Sequence, residues 1–322
     1  MTQPDDARNP ATIAPPRVVF CGMAGRFSLL ALEGLLNAGV EVVAIVLPGL
    51  RDMASQPSRL PHLPNLPPSS QRPRRAALPM FGAASPRTIL DIAAERDIPV
   101  LVLGAERQPR TFTALDYDAI AVACFSRKLP ASLLRLPRLG CLNVHPSLLP
   151  AHRGPDPLFW TFHDGDEAGG VTIHLMDEGF DSGPILLQET LPLPDGMTEA
   201  ALERFCAARG GELLAEALLM LDAGAIQPRA QDDSLASYQS WPQEDDYTVT
   251  PAWAAQRAYR FMVGVAGRSE PVRFVADDDA TFTLATALSY ESDAILGVPW
   301  RLDGDTLTAQ CTPGVLRCQI VR

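Results

Sequence analysis

The sequence predicts an α/β protein built on a mostly parallel sheet, followed by a small all-β module. Three observations carry this. Residues 17–47 read as strand, helix, strand. The run Val40 to Leu47 is almost continuously apolar and β-branched, as in a strand covered on both faces. Beyond a polar stretch at 227–246, residues 272–321 break into short β-like runs separated by turns.

The elements follow in order. Met1 to Pro16 is polar and lacks an apolar core, so it reads as a flexible tail rather than a secretory signal. Arg17 to Gly22 is a strand ending in glycine, and Phe27 to Leu36 reads as a helix with apolar residues on more than one face. Nine prolines between Pro48 and Pro86 destroy any period, so 48–86 is a proline-rich insertion. Regular structure resumes with a helix over Thr88 to Arg96 and strands at Pro99–Leu103, Asp118–Phe125 and Gly140–His145. Asp156 or Pro157 starts a helix through His163. Strands at Val171–Met176 and Pro184–Leu187 precede a long helix over Glu199 to Leu221, in which Gly210-Gly211 marks a bend or a close contact.

Strands alternating with helices over 17–226 form one α/β unit. Residues 227–246 are a polar linker. Residues 247–322 open with a helix at Pro251–Phe261. Short strands at Val272–Val275, Phe282–Leu288, Trp300–Leu302, Thr306–Gln310 and Gly314–Val321 then suit a partly open barrel.

The composition, 47% hydrophobic and 20% charged, is that of a soluble globular protein. No apolar run approaches the ~18 residues a membrane helix needs. A net charge of −11 argues against a surface that attracts nucleic acid everywhere, while leaving a local basic patch open. None of the six cysteines forms a CxxC pair, so they read as buried thiols in a reducing cytoplasm. Cys311 and Cys318 could still meet across a hairpin.

The chemistry concentrates at Leu142-Asn143-Val144-His145-Pro146. In a strand, positions i and i+2 face the same way, so Asn143 and His145 aim at one spot. Parallel sheets bind ligands beyond the carboxyl ends of their strands, and this pair lies at such an end. Asp181 follows in a glycine-flanked loop after the next strand. A carboxylate beside an imidazole raises its pKa, so His145 is expected to be positive. An amide and an imidazolium suit an acyl carbon whose oxygen turns negative under attack, and Asp181 can accept a proton.

Taken singly, each of the three also reads as an ordinary turn residue. His145, His152, His163, His174 and Asp181 show no HExxH or i, i+4 histidine pair, so no metal is expected. Ser147 lacks the GxSxG context of a nucleophile, and Gly22-Met23-Ala24-Gly25 is not GxGxxG.

The series Asn143-Val144-His145-Pro146-Ser147-Leu148-Leu149-Pro150, Arg153-Gly154 with Pro157, Gly170-Val171-Thr172-Ile173 and Met176-Asp177-Glu178-Gly179-Phe180-Asp181-Ser182-Gly183-Pro184 resembles the 10-formyltetrahydrofolate-dependent formyltransferase family. That resemblance implies a Rossmann-like formyltransferase domain with a C-terminal OB-like barrel. The implied reaction moves a formyl group from 10-formyltetrahydrofolate to a primary amine, without metal. By matching position, Asn143, His145 and Asp181 are the implied catalytic residues. Phe125, Arg127, Leu129, Met176 and Phe180 line the implied folate pocket, and Arg153 and Gly154 face the acceptor.

The two-domain layout resembles members of that family that act on initiator methionyl-tRNA, which the resemblance implies as the acceptor. An amino sugar or another small amine, or water in a hydrolase, are the alternatives. The basic, lysine-rich loop of tRNA-acting members is replaced here by the proline-rich insertion, whose Arg74 and Arg75 could grip phosphates. The expected assembly is a monomer or weak dimer.

Overall fold

The computed structural model describes residues 15–49, 87–103 and 110–321. Most of the expected tail, nearly all of the proline-rich insertion, and Arg74 and Arg75 lie outside the described residues.

Five strands run parallel: Arg17–Gly22 (β1), Glu41–Pro48 (β2), Val100–Leu103 (β3), Ala119–Ala123 (β4) and Cys141–His145 (β5). Ala168–Leu175 (β6) and Ile185–Pro192 (β7) add an antiparallel edge, giving the order β3-β2-β1-β4-β5-β6-β7. The sheet is mostly parallel, as expected, but β6 is not. The segment between β5 and β6 is long enough for a parallel crossover. Period-2 patterning is the same for either direction, so the reversal leaves no trace in the residue pattern.

The helices of this unit are Arg26–Asn37 (α1), Ile89–Glu95 (α2), Arg110–Thr113 (α3), Ala131–Leu134 (α4), Pro157–His163 (α5) and Glu199–Asp222 (α6). Local chemistry sets several starts. Thr88 and Asp91 form a reciprocal capping box on α2. Pro157 opens α5, where its missing N–H is not needed. The Thr198 hydroxyl accepts from Ala201 N at the start of α6.

Alternation in β5 builds both the core and the site. Leu142 and Val144 point into the main apolar core. Cys141 joins the core on the opposite sheet face, with Val122, Leu129 and Leu133. Asn143 and His145 share that second face. Gly210-Gly211 serves close packing rather than a bend. A Cβ on Gly210 would lie 2.4 Å from Val144 Cγ1, and one on Gly211 would lie 2.6 Å from the Ala31 carbonyl oxygen. Helix α6 thus presses against α1 and against the strand that carries the site.

Downstream, Ala255–Val265 (α7) packs on a sheet of Thr248–Val249 (β8), Arg273–Val275 (β9), Thr281–Glu291 (β10), Trp300–Asp303 (β11), Thr306–Gln310 (β12) and Val315–Ile320 (β13). The order is β11-β12-β13-β10-β9-β8. Register shifts bend β10, so the sheet curls into a small barrel-like module. Helix α7 begins four residues later than its pattern predicts. Trp253 N bonds the Thr250 carbonyl in a turn, and Ala255 N bonds the Pro313 carbonyl instead of starting earlier. Cys311 and Cys318 are both buried and both free.

A buried charge cluster ties the two sheets together. Arg268 donates to both oxygens of Asp156, at 2.6 and 2.7 Å, and to Glu199 at 2.6 Å. Its side chain is 8% exposed. Arg268→Ala would leave a buried and a partly buried carboxylate without their cation, and is expected to cost about 3–5 kcal/mol of unfolding free energy. Urea denaturation checks this. An unchanged midpoint would show that the cluster does not hold the sheets together.

Candidate active site

His145 is 4% exposed, and both its ring nitrogens face protein atoms. Nε2 lies 2.9 Å from the His152 carbonyl oxygen, and Nδ1 lies 3.6 Å from Asp181 Oδ1. A carbonyl only accepts, so Nε2 carries a hydrogen and donates it. Asn143 stands two residues away on the same face, with Nδ2 3.2 Å from His174 Nε2. His174 Nδ1 is 2.9 Å from the Leu175 carbonyl, so the ring donates there and offers Nε2 to the amide. Asn143 and His174 are directly paired across β5 and β6.

Asp181 reaches the site by a route that the residue pattern does not show. Because β6 is antiparallel, the loop after it folds back across the sheet instead of leaving from a neighbouring carboxyl end. Asp181 sits in the left-handed region, φ +53°. Its Oδ2 accepts from Gly154 N at 2.9 Å, and its carbonyl accepts from Gln231 Nε2 at 2.7 Å. Oδ1 is left facing His145 and His174, at 3.6 and 3.7 Å.

The electrostatics correct one expectation. Burial pushes His145 below the ordinary imidazole value and outweighs the opposing pull of Asp181 and the His152 carbonyl. The ring is therefore neutral at neutral pH, not positive. Burial also opposes ionisation of Asp181, but attraction to His145, which is protonated in the acid range where the carboxyl titrates, together with the Gly154 N–H, lowers its pKa well below the usual range. The Gly154 bond persists in either state of His145, so the carboxylate remains ionised beside a neutral ring.

The other residues singled out by sequence are scattered around this centre. Phe125 and Met176 pack on the apolar cluster next to Asn143, and Leu129 is buried within it. Arg127 Nη1 donates to the Leu103 carbonyl at 2.7 Å. Phe180 is 57% exposed, with Lys128 Nζ 4.6 Å from its ring centre and the Tyr238 ring 6.2 Å away. Arg153 donates to Gln231 Oε1 and to Asp233 Oδ1, which turns its guanidinium toward the 227–246 segment.

Gly154 acts through its backbone. Its N–H holds Asp181, its φ is +122°, and a Cβ there would fall 2.1 Å from the Gln239 carbonyl oxygen.

The 227–246 segment, expected as a plain linker, is a strap across the site. Gln231 holds the carbonyls of Asp181 and Gly183. Ser237 N bonds the Pro150 carbonyl, and Gln239 N bonds the Arg153 carbonyl. Sequence reasoning missed Gln231 and the role of His174. His174 had one visible signal: with Thr172 it makes a polar i, i+2 pair on an otherwise apolar strand. Among the described residues no group of His, Cys, Asp or Glu could hold a metal ion, and no helix is long and apolar enough to cross a membrane.

Residues 104–218 match the family model described as formyl transferase. The methionyl-tRNA formyltransferase of Stutzerimonas stutzeri (strain A1501) is 31% identical over 308 residues, spanning 94% of this chain and 88% of that one. The enzyme of the same name from Gluconobacter oxydans (strain 621H) is 31% identical over 94% of this chain and 90% of its own. The chain belongs to the formyltransferase family. Within that family, these relatives matched over nearly their whole length are methionyl-tRNA formyltransferases.

A third relative of that name, from Synechococcus sp. (strain JA-3-3Ab), is 41% identical over 162 residues, and the match spans half its length. Among solved structures, WlaRD, a sugar 3N-formyl transferase, has a TM-score of 0.66 at 12% identity, covering 95% of this chain and 98% of that one. An N-formyltransferase from Helicobacter canadensis has a TM-score of 0.65 at 14% identity, covering 95% and 100%. These two likenesses are of fold alone.

Proposed function

We propose that the chain transfers the formyl group of 10-formyltetrahydrofolate to the amine of initiator methionyl-tRNA, in the cytoplasm, as a monomer or weak dimer. The observation that supports this is a linked polar set in a formyltransferase-family chain: His145 and His174 both face Asp181, and Asn143 Nδ2 reaches His174. Residues 17–226 serve as the catalytic unit and 247–322 as the accessory module. Phe125, Met176 and Phe180 would bound the folate, with Arg127 and Leu129 shaping the wall behind them.

The chemistry follows from the protonation states. An amine attacking the formyl carbon must lose a proton as the C–N bond forms. His145 is neutral and Nε2 already donates to the His152 carbonyl, so Nδ1 accepts the incoming proton. Asp181, ionised beside it, stabilises the imidazolium that results. The same proton then passes from Nδ1 to the departing folate nitrogen as its C–N bond breaks. Asn143 Nδ2 donates to the formyl oxygen while that oxygen is negative. One such donor is worth roughly 3–4 kcal/mol.

The test is a transfer assay with 10-formyltetrahydrofolate and methionyl-tRNA, an amino-sugar nucleotide, or no amine. Methionyl-tRNA should be formylated, with KM rising steeply with salt as phosphate contacts release counterions. Formylation of the amino sugar alone would overturn the acceptor assignment. Rapid formate release without any amine would make the chain a hydrolase.

A further inference from the structure

Three separate tethers meet at His152. Its ring Nε2 lies 2.7 Å from Asp166 Oδ2, its backbone N donates to Ser237 Oγ at 2.8 Å, and its carbonyl accepts from His145 Nε2 at 2.9 Å. The side chain is 6% exposed. The backbone is left-handed, φ +56°, a conformation that costs a non-glycine residue on the order of 1 kcal/mol or more and persists only where the surroundings fix it.

We infer that His152, gripped by Asp166, is a positioning residue that presents its carbonyl to His145 and so decides which nitrogen of the catalytic ring carries the hydrogen. A neutral imidazole has one N–H and two claimants here. The His152 carbonyl is 2.9 Å from Nε2, while the Asp181 carboxylate is 3.6 Å from Nδ1. A hydrogen bond to a carboxylate is intrinsically the stronger. Without a carbonyl held firmly at Nε2, the hydrogen moves to Nδ1, and Nδ1 can no longer accept a proton from the attacking amine. The carbonyl therefore keeps the reactive nitrogen open.

The grip is electrostatic as well as geometric. The charged and titratable groups around the ring are Asp166, Asp164 (3.9 Å from Nδ1) and His145. Burial disfavours charge on His152, but the Asp166 hydrogen bond and the two carboxylates outweigh it and raise its pKa. His152 is thus the opposite of His145: the ring beside the reaction is neutral, and the ring that anchors it is favoured in its charged form.

This inference rests on the reading of His145 as the proton acceptor, and the test separates the two. The tautomer of His145 is read by ¹⁵N NMR of imidazole-labelled protein, alongside kcat and KM, for the wild type, Asp166→Ala, His152→Ala and His152→Gln. The wild type should hold its hydrogen on Nε2. In Asp166→Ala and His152→Ala the Nδ1–H form should appear. In both, kcat should fall roughly 10- to 100-fold, by analogy with the loss of a partner that orients a metal-bound imidazole. KM should change little, and His152→Gln, which can still donate to Asp166, should recover much of the loss. A hydrogen that stays on Nε2 in folded Asp166→Ala protein overturns the inference and leaves the proton-acceptor reading standing. A hydrogen that moves while kcat holds overturns the proton-acceptor reading, and with it the role given to His152.

Discussion

Asp181→Asn is expected to lower kcat by roughly 100- to 10,000-fold, the usual worth of a positioned acid–base group, with the fold retained. The amide oxygen of asparagine can still accept from Gly154 N, so the loop keeps its anchor. What disappears is the charge that stabilises the imidazolium once His145 has taken the amine's proton. The pH profile gives a second signature. In the wild type kcat should fall on the acid side only as His145 protonates, and burial places that step below the ordinary imidazole value of 6.5. Asp181 works to raise the His145 pKa, so Asp181→Asn should move the acid limb to lower pH while depressing the plateau. A variant with near-normal kcat would remove Asp181 from the chemistry.

The same shift has a consequence for stability. The folded His145 pKa is depressed while the unfolded chain keeps the ordinary value. Below about pH 6.5 the unfolded state therefore binds more protons, and the contribution of His145 to stability declines as pH falls toward the folded value.

Gly154→Ala should damage both the fold and the site with a single added methyl group. The position has φ +122°, and the added Cβ would fall 2.1 Å from the Gln239 carbonyl. Backbone strain alone costs about 1–3 kcal/mol. The collision with backbone atoms, which cannot rotate away, adds to it. Relief requires moving either Gln239 or the Gly154 N–H that holds Asp181, so thermal stability and kcat should fall together. Differential scanning calorimetry and single-turnover rates check this. A variant with unaltered melting temperature and rate would show that the strap does not constrain the site.

Much of the fold could be read from residue patterns because most elements announce themselves locally. The apolar run of β2, the proline at the start of α5 and the alanine- and leucine-rich α6 each carry their own signal. Asn143 and His145 were legible because i, i+2 spacing on a strand fixes their relation without tertiary information. What stayed hidden depends on contacts between distant segments. The direction of β6, the return of the Asp181 loop over the sheet, and the cross-strand pairing of His174 with Asn143 follow from register. The charge on His145 was misread for a related reason. A nearby carboxylate can be guessed from sequence, but the depth of burial that overrides it cannot.

Gln231 lies beyond the last helix of the α/β half, yet it grips the carbonyls on either side of Ser182, those of Asp181 and Gly183. The Asp181 carboxylate is thus tied to the stretch of chain that leads to the distal barrel. The two halves cannot be dissected at residue 226 without cutting away part of the scaffold beneath the reaction. A shift of the strap at Gln231 would therefore be carried to the loop that holds the carboxylate.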